Sequence, residues 1–244
     1  MSDKPVLYLL AGLLCDAAIW SEQIAAFDAD YDVRVPDFTA FTSLSAMAAS
    51  VLETAPPRFA LAGHSMGARV ALEVFRQAPG RIERLALLDT GTHPVQSGEA
   101  EKRQILVELA QTQGMEALTR HWLTPMVAAE HRRDAALMDA LRAMVLRMSP
   151  EIYLNQVTAL LGRADAGPLL GQIACPVLVG VGRHDAWSPP AQHEPIAAAI
   201  SGARYVVFED AGHMAPLEVP AAVTQALRDW LAQPGDKEPL DAAA

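Results

Sequence analysis

Phe59-Ala60-Leu61-Ala62-Gly63-His64-Ser65-Met66-Gly67-Ala68-Arg69-Val70-Ala71-Leu72-Glu73 decides how the rest of the chain is read. It begins as a short apolar run, passes through Gly63-His64-Ser65-Met66-Gly67, and continues with apolar residues at helical spacing. That pattern predicts a strand, a tight turn and a helix, with Ser65 at the apex. A turn this sharp forces backbone against backbone, and glycine two residues to either side of Ser65 removes the side chains that would collide there. The Ser65 hydroxyl would then stand above the C-terminal edge of a sheet. There it meets a helix N-terminus, whose free N–H groups stabilise developing negative charge.

Working outward, Val6 to Leu10 reads as a first strand, leading into Ala11-Gly12-Leu13-Leu14-Cys15-Asp16. Trp20 to Phe27 has helical spacing, and Tyr31 to Val35 is a second strand stopped by Pro36-Asp37. Asp37 is read as a turn or helix cap in preference to a site residue. Leu44 to Ala55 is a helix opened by Ser43 or Thr42 and ended before Pro56-Pro57. After the strand Arg58–Ala62 and the helix from Ser65 to Gln77, Arg84 to Leu88 is another strand, ending Asp89-Thr90-Gly91. Pro176 to Val181 and Arg204 to Phe208 are later strands, and Pro220–Leu231 is a closing helix. Strands alternating with helices at short spacing imply an α/β fold with a parallel sheet and right-handed crossovers.

Between Thr92 and about Gly171 the strand pattern disappears, and Glu101–Gln113, Met115–Trp122, Ala128–Met148 and Pro150–Leu161 read as helices. The chain therefore divides into a core over 1–91, a helical insertion over 92–171, a second core part over 172–233 and a polar tail over 234–244.

The 244 residues are enough for one large domain or a core with a sizeable insertion. With 29 acidic against 19 basic residues the formal charge is −10, which opposes binding to nucleic acid or an anionic membrane. No stretch approaches the ~20 apolar residues of a membrane span. The apolar run Val6 to Leu14 lacks a basic segment before it and a small-residue cleavage site after it, so a buried strand explains it better than a signal peptide. Two cysteines, Cys15 and Cys175, are too few for a disulfide framework and are read as buried thiols. These features place the protein in the cytoplasm. Nothing in the sequence sets the oligomeric state.

Two further motifs follow late strands. The first is Gly182-Arg183-His184-Asp185-Ala186-Trp187-Ser188-Pro189, and the second is Gly212-His213-Met214-Ala215-Pro216-Leu217-Glu218. With Gly63-His64-Ser65-Met66-Gly67 they give the order Ser, Asp, His, and the chain resembles the α/β-hydrolase superfamily from about residue 6 to 231. The resemblance implies catalytic roles for Ser65 as nucleophile, His213 as base and Asp185 as the acid that orients it. Asp89 competes for the acid's role, because a minority of these enzymes carry the acid after that earlier strand. The loop after the first strand usually begins His-Gly. Ala11 replaces the histidine here while Gly12 is kept, and the backbone N–H groups of Leu13 and Met66 are implied to form the oxyanion hole. The family usually has an antiparallel hairpin before the first parallel strand, for which this chain has no room, so a sheet of about six parallel strands is expected.

The resemblance also places the inserted helices as a cap over Ser65. Candidate substrate-binding residues are Trp122, Met126, Met144 and Met148 from that insertion, with Leu14, Trp187 and Met214 beside the motifs. A methionine or aromatic stripe at helical spacing equally packs against its own neighbours. His64 is read as a loop contact, His121 and His131 as surface or packing residues, and His93 as a residue at the insertion's entrance. No clustered His/Cys set resembles a metal site, and no cofactor is required.

The implied chemistry is hydrolysis of a small to medium carboxylic ester, a small-molecule substrate, through an acyl-serine. Ser-Met-Gly followed by Arg69 also resembles the pyruvate-eliminating synthases of menaquinone biosynthesis, and C–C bond hydrolases keep the same three residues. A non-catalytic binder of a hydrophobic small molecule is the reading from another class. An anionic substrate would need basic residues in the pocket, and the sequence offers no cluster beyond Arg69, Arg132 and Arg133.

Overall fold

The computed structural model describes residues 4–234. The expected polar tail lies almost wholly outside the described residues. In chain order the core elements are β1 (Val6–Leu10), α1 (Ser21–Phe27), β2 (Asp32–Arg34), α2 (Leu44–Thr54), β3 (Phe59–His64), α3 (Met66–Gln77) and β4 (Ile82–Leu88). Four helices follow before the next strand: α4 (Glu99–Trp122), α5 (Ala135–Leu146), α6 (Pro150–Leu161) and α7 (Gly167–Leu170). The core resumes with β5 (Val177–Gly182), α8 (Pro190–Ala198), β6 (Arg204–Phe208), α9 (Ala215–Glu218) and α10 (Pro220–Leu231).

The six strands form one parallel sheet in the order β2-β1-β3-β4-β5-β6. Burial follows position. β1, β3 and β5 are buried along their whole length, as continuous apolar runs covered on both faces should be. The edge strands are only partly buried. β2 is three residues long, and Arg204 of β6 is paired with Asp229 at 2.9 Å; short, charged edges discourage pairing with another chain.

The direction of each step fixes the face on which its helix lies. From β1 the chain steps outward to β2, whereas the β2–β3, β3–β4 and β5–β6 steps run the other way. Right-handed crossovers therefore put α1 on one face and α2, α3 and α8 on the other. The packing agrees: α2 lies against α3, and α1 against α10. The step direction reverses between β1 and β3. In open α/β sheets the crevice at the carboxyl ends of two such strands is where ligands bind. The loop after β1 carries Leu13, and the turn after β3 carries Ser65.

Gly67 sits where α3 crosses β1. A Cβ there would overlap the carbonyl groups of Leu10 and Ala11, backbone atoms at the end of β1 and just beyond it. Gly67→Ala is therefore expected to cost about 4 kcal/mol or more, read as a lowered urea midpoint or as insoluble protein.

The inserted helices differ from the sequence reading in two places, the first being the short α7, which the spacing does not predict. The expected Ala128–Met148 helix begins only at Ala135, where the Asp134 side chain accepts the Leu137 N–H as its cap. The segment before it is held out of helix by tertiary bonds: the Met126 carbonyl accepts the His213 N–H, and Glu218 accepts the Ala128 N–H. α4 is broken at Gly114 (φ 80, ψ 175), between the two helices that the spacing predicts.

Candidate active site

Ser65 occupies the apex of the β3–α3 turn with φ 54 and ψ −115, a conformation that L residues seldom adopt. The surroundings hold it there. Its N–H donates to the Leu88 carbonyl at 2.8 Å, and the Thr90 hydroxyl donates to its carbonyl at 2.9 Å. Gly63 is equally constrained, since a Cβ would lie 2.5 Å from the backbone of Ala68. The end of β4 thus clamps the turn, and the Ser65 hydroxyl faces a cavity above the carboxyl edge of the sheet.

His213 lies in the loop after β6, with Nε2 2.8 Å from Ser65 Oγ and Nδ1 2.7 Å from Asp185 Oδ2. A carboxylate accepts only, so Nδ1 carries the proton and Nε2 is left to accept from the serine hydroxyl. The other oxygen of Asp185 accepts the N–H groups of Trp187 (2.8 Å) and Ser188 (2.9 Å). Burial pushes the Asp185 carboxyl up, but the His213 imidazole and the two amides outweigh it and hold it below the usual carboxylate range. Asp89 does not reach His213. One of its oxygens accepts the Gly182 N–H at 2.8 Å, and burial followed by the nearby Asp185 raises it well above the carboxylate range.

Leu13 and Met66 line the cavity beside Ser65. In the loop after β1, the Leu14 N–H donates to Gln156 Oε1 (2.8 Å) and the Cys15 N–H to the Gly12 carbonyl (3.1 Å). The Leu13 N–H has no acceptor among the described residues. Met66 is the first residue of α3, so its N–H has no helical partner either. The loop bonds thus use the two amides that follow Leu13 and not that of Leu13 itself.

The cavity measures about 400 Å³, the size that admits a small metabolite. Of the expected lining residues, Trp122, Met126, Trp187 and Met214 are in its wall. Leu14, Met144 and Met148 are not, and those expectations are corrected. Leu14 adopts φ 59 and is completely buried, turned from the cavity by the bond of its amide to Gln156. Met144 belongs to the apolar stripe of α5, which packs against α4 and against the turn at Ala17–Trp20, and Met148, just beyond the end of α5, is buried in the same core. His93 does line the cavity, as do Arg69, Arg103 and Arg163. Arg103 and Arg163 were invisible in the sequence as a cluster, because α4 and the segment after α6 bring them together only in the fold. Asp37 caps its own turn by accepting the Thr39 N–H at 2.8 Å.

Buried polar groups hold the His213 loop. His64 is fully buried, and its Nε2–H donates to the His213 carbonyl at 2.7 Å. Burial and then the nearby His213 lower the His64 pKa to about 3, so it is a neutral support. Glu218 has a fully buried side chain. One oxygen accepts the N–H groups of Gly212 and Met214, both at 3.0 Å; the other accepts the Ala128 N–H at 2.8 Å. It therefore joins the His213 loop to the inserted segment. Glu218→Ala strands three buried amides and is expected to cost about 3 kcal/mol or more, measured by urea unfolding, at roughly 1–3 kcal/mol each.

A parallel sheet with a serine on a strained strand–helix turn, and Asp and His following in that order, defines a class. The chain matches the alpha/beta hydrolase fold family over residues 5–220 and belongs to it. It is similar to the pimeloyl-[acyl-carrier protein] methyl ester esterase of Nitrosomonas europaea, with 25% identity covering 89% of this chain and 92% of that protein. Among solved structures, a malate-bound thermophilic esterase from Thermogutta terrifontis superposes with TM-score 0.83 and 28% identity, covering 94% of this chain and 91% of the other. The enol-lactonase from Burkholderia xenovorans LB400 also gives TM-score 0.83, with 26% identity over 95% of this chain and 93% of the other. No helix among the described residues is long and apolar enough to cross a membrane.

Proposed function

We propose that this chain is a serine hydrolase, a carboxylesterase that cleaves small to medium carboxylic esters through an acyl-serine intermediate. The observation that carries the reading is the continuous line Ser65 Oγ, His213 and Asp185, with contacts of 2.8 and 2.7 Å, opening onto a cavity that Leu13 and Met66 also line. The names of the relatives, two esterases and a lactonase, support it.

In this reading Ser65 Oγ attacks the ester carbonyl as His213 Nε2 takes its proton. The carbonyl oxygen becomes an oxyanion between the Leu13 and Met66 N–H groups, each worth roughly 3 kcal/mol to such a transition state elsewhere. Collapse breaks the C–O bond, and His213 returns the proton to the departing alcohol. Water then attacks the acyl-serine with His213 again as base, releasing the acid and restoring Ser65. Asp185 stays ionised and fixes the imidazole. The helices α4 to α7 act as the cap that shapes the pocket. The enzyme works in the cytoplasm on a small-molecule ester, without metal, organic cofactor, nucleic acid or membrane.

The test is hydrolysis of p-nitrophenyl esters from acetate to decanoate. Saturable turnover with an optimum at short to medium chains is expected, because the cavity is about 400 Å³. A folded protein that turns over none of them would contradict the reading. Elimination, C–C cleavage or simple binding would take its place.

A further inference from the structure

The cavity holds more positive charge than ester hydrolysis requires. Arg69 lies four residues beyond Ser65, one helical turn along the same face of α3, and its N–H approaches the Ser65 carbonyl at 3.4 Å. Its side chain is partly buried in the cavity wall and spends one guanidinium donor on the His93 carbonyl at 3.1 Å. No carboxylate lies within 4.0 Å of it among the described residues.

The cations around it are only partly neutralised. Arg163, whose side chain is almost completely buried, and Arg103 share a single carboxylate, Glu99, at 2.5 to 2.9 Å. Lys102 lines the same wall. The remaining wall carboxyl, Asp89, is pushed toward its neutral form by burial and by Asp185. This concentration stands out in a chain whose formal charge is −10. Burial, and after it the neighbouring Arg163, also pull the Arg69 guanidinium down from its usual range. A cation that is desolvated, crowded by another cation and without its own anion is relieved by a bound anion.

We propose that Arg69, with Arg163 and Arg103 behind it and Lys102 beside it, is an anion subsite, and that the substrate is an ester bearing a free carboxylate. The proposal rests on the hydrolase reading of Ser65 and names its substrate class. The Arg69 fork binds the carboxylate while the ester carbonyl lies at Ser65, so selectivity is set by the reach between the two groups.

The test compares 4-nitrophenyl half-esters of linear dicarboxylic acids, glutarate to suberate, with the same compounds capped as neutral methyl esters. Esters of 4-hydroxybenzoate, with the carboxylate on the leaving group, form a second arm that tells which side of the ester carries the charge. For at least one length or arm, wild-type kcat/KM should favour the charged ester by about tenfold or more. Arg69→Gln should collapse that ratio by about the same factor, chiefly through KM, with Arg69→Lys in between. Equal use of charged and neutral esters in both arms, or a ratio unchanged in Arg69→Gln, would overturn the subsite.

Calorimetry with glutarate keeps the two readings separate. If wild type hydrolyses no ester, the hydrolase reading fails. Glutarate binding to wild type and Ser65→Ala, lost in Arg69→Gln, would still support the anion subsite, and no binding to wild type would end it. If Arg69→Gln does not fold, Arg69→Lys and inhibition of neutral-ester turnover by glutarate in wild type decide the matter in the same directions.

Discussion

Ser65→Ala is expected to lower kcat for p-nitrophenyl ester hydrolysis by about 10⁵-fold or more while leaving the protein folded. Loss of the nucleophile in a serine–histidine–aspartate site elsewhere costs on the order of 10⁶. The substitution removes only Oγ, whose one hydrogen bond among the described residues is to His213 Nε2 at 2.8 Å. The clamp on the turn uses the Ser65 backbone, through Leu88 and Thr90, and is unaffected. Activity should therefore fall with no change in the urea midpoint beyond about 1 kcal/mol. Retention of a tenth of the wild-type rate would place the nucleophile elsewhere.

The second large effect separates two buried aspartates. Asp185→Asn should reduce kcat by about 10⁴-fold, because an amide facing Nδ1 no longer enforces the tautomer that leaves Nε2 free to accept. Asp89→Asn should reduce it less than about tenfold. The amide oxygen of the introduced side chain can still accept the Gly182 N–H, and a neutral amide is close in shape and charge to the protonated acid that burial favours there. Steady-state kinetics of the two variants on one ester, each checked for folding, measure the contrast. Equal losses would mean that the acid's role is shared.

The meeting of Ser65, Asp185 and His213 was legible because each lies in a short segment directly after a strand, and parallel strands deliver such segments to one edge. The glycines at 63 and 67 added a steric reason that needs no tertiary knowledge. The pocket was harder to read. Trp122 and Met126 reach the cavity, whereas Met144 and Met148 do not, and the same helical spacing describes both pairs. The apolar side of α5 is turned to α4 and to the turn at Ala17–Trp20, so that no residue of α5 lines the cavity, and neither partner leaves a mark in residues 135–146. Glu218 sits in plain view five residues after His213, yet its partners include Ala128, 90 positions away. Arg69, Arg103 and Arg163 are likewise scattered along the chain, and only the packing of α3, α4 and the segment after α6 makes them one wall.

Covalent labelling with a fluorophosphonate, followed by intact-mass and peptide mapping, reads the identity of the nucleophile directly. With Ser65 as the nucleophile, one adduct per chain is expected, located on Ser65 within the peptide 59–69 released by cleavage after Arg58 and Arg69, and absent from Ser65→Ala. A folded protein that takes up no label, or takes it up at another residue, would contradict that role.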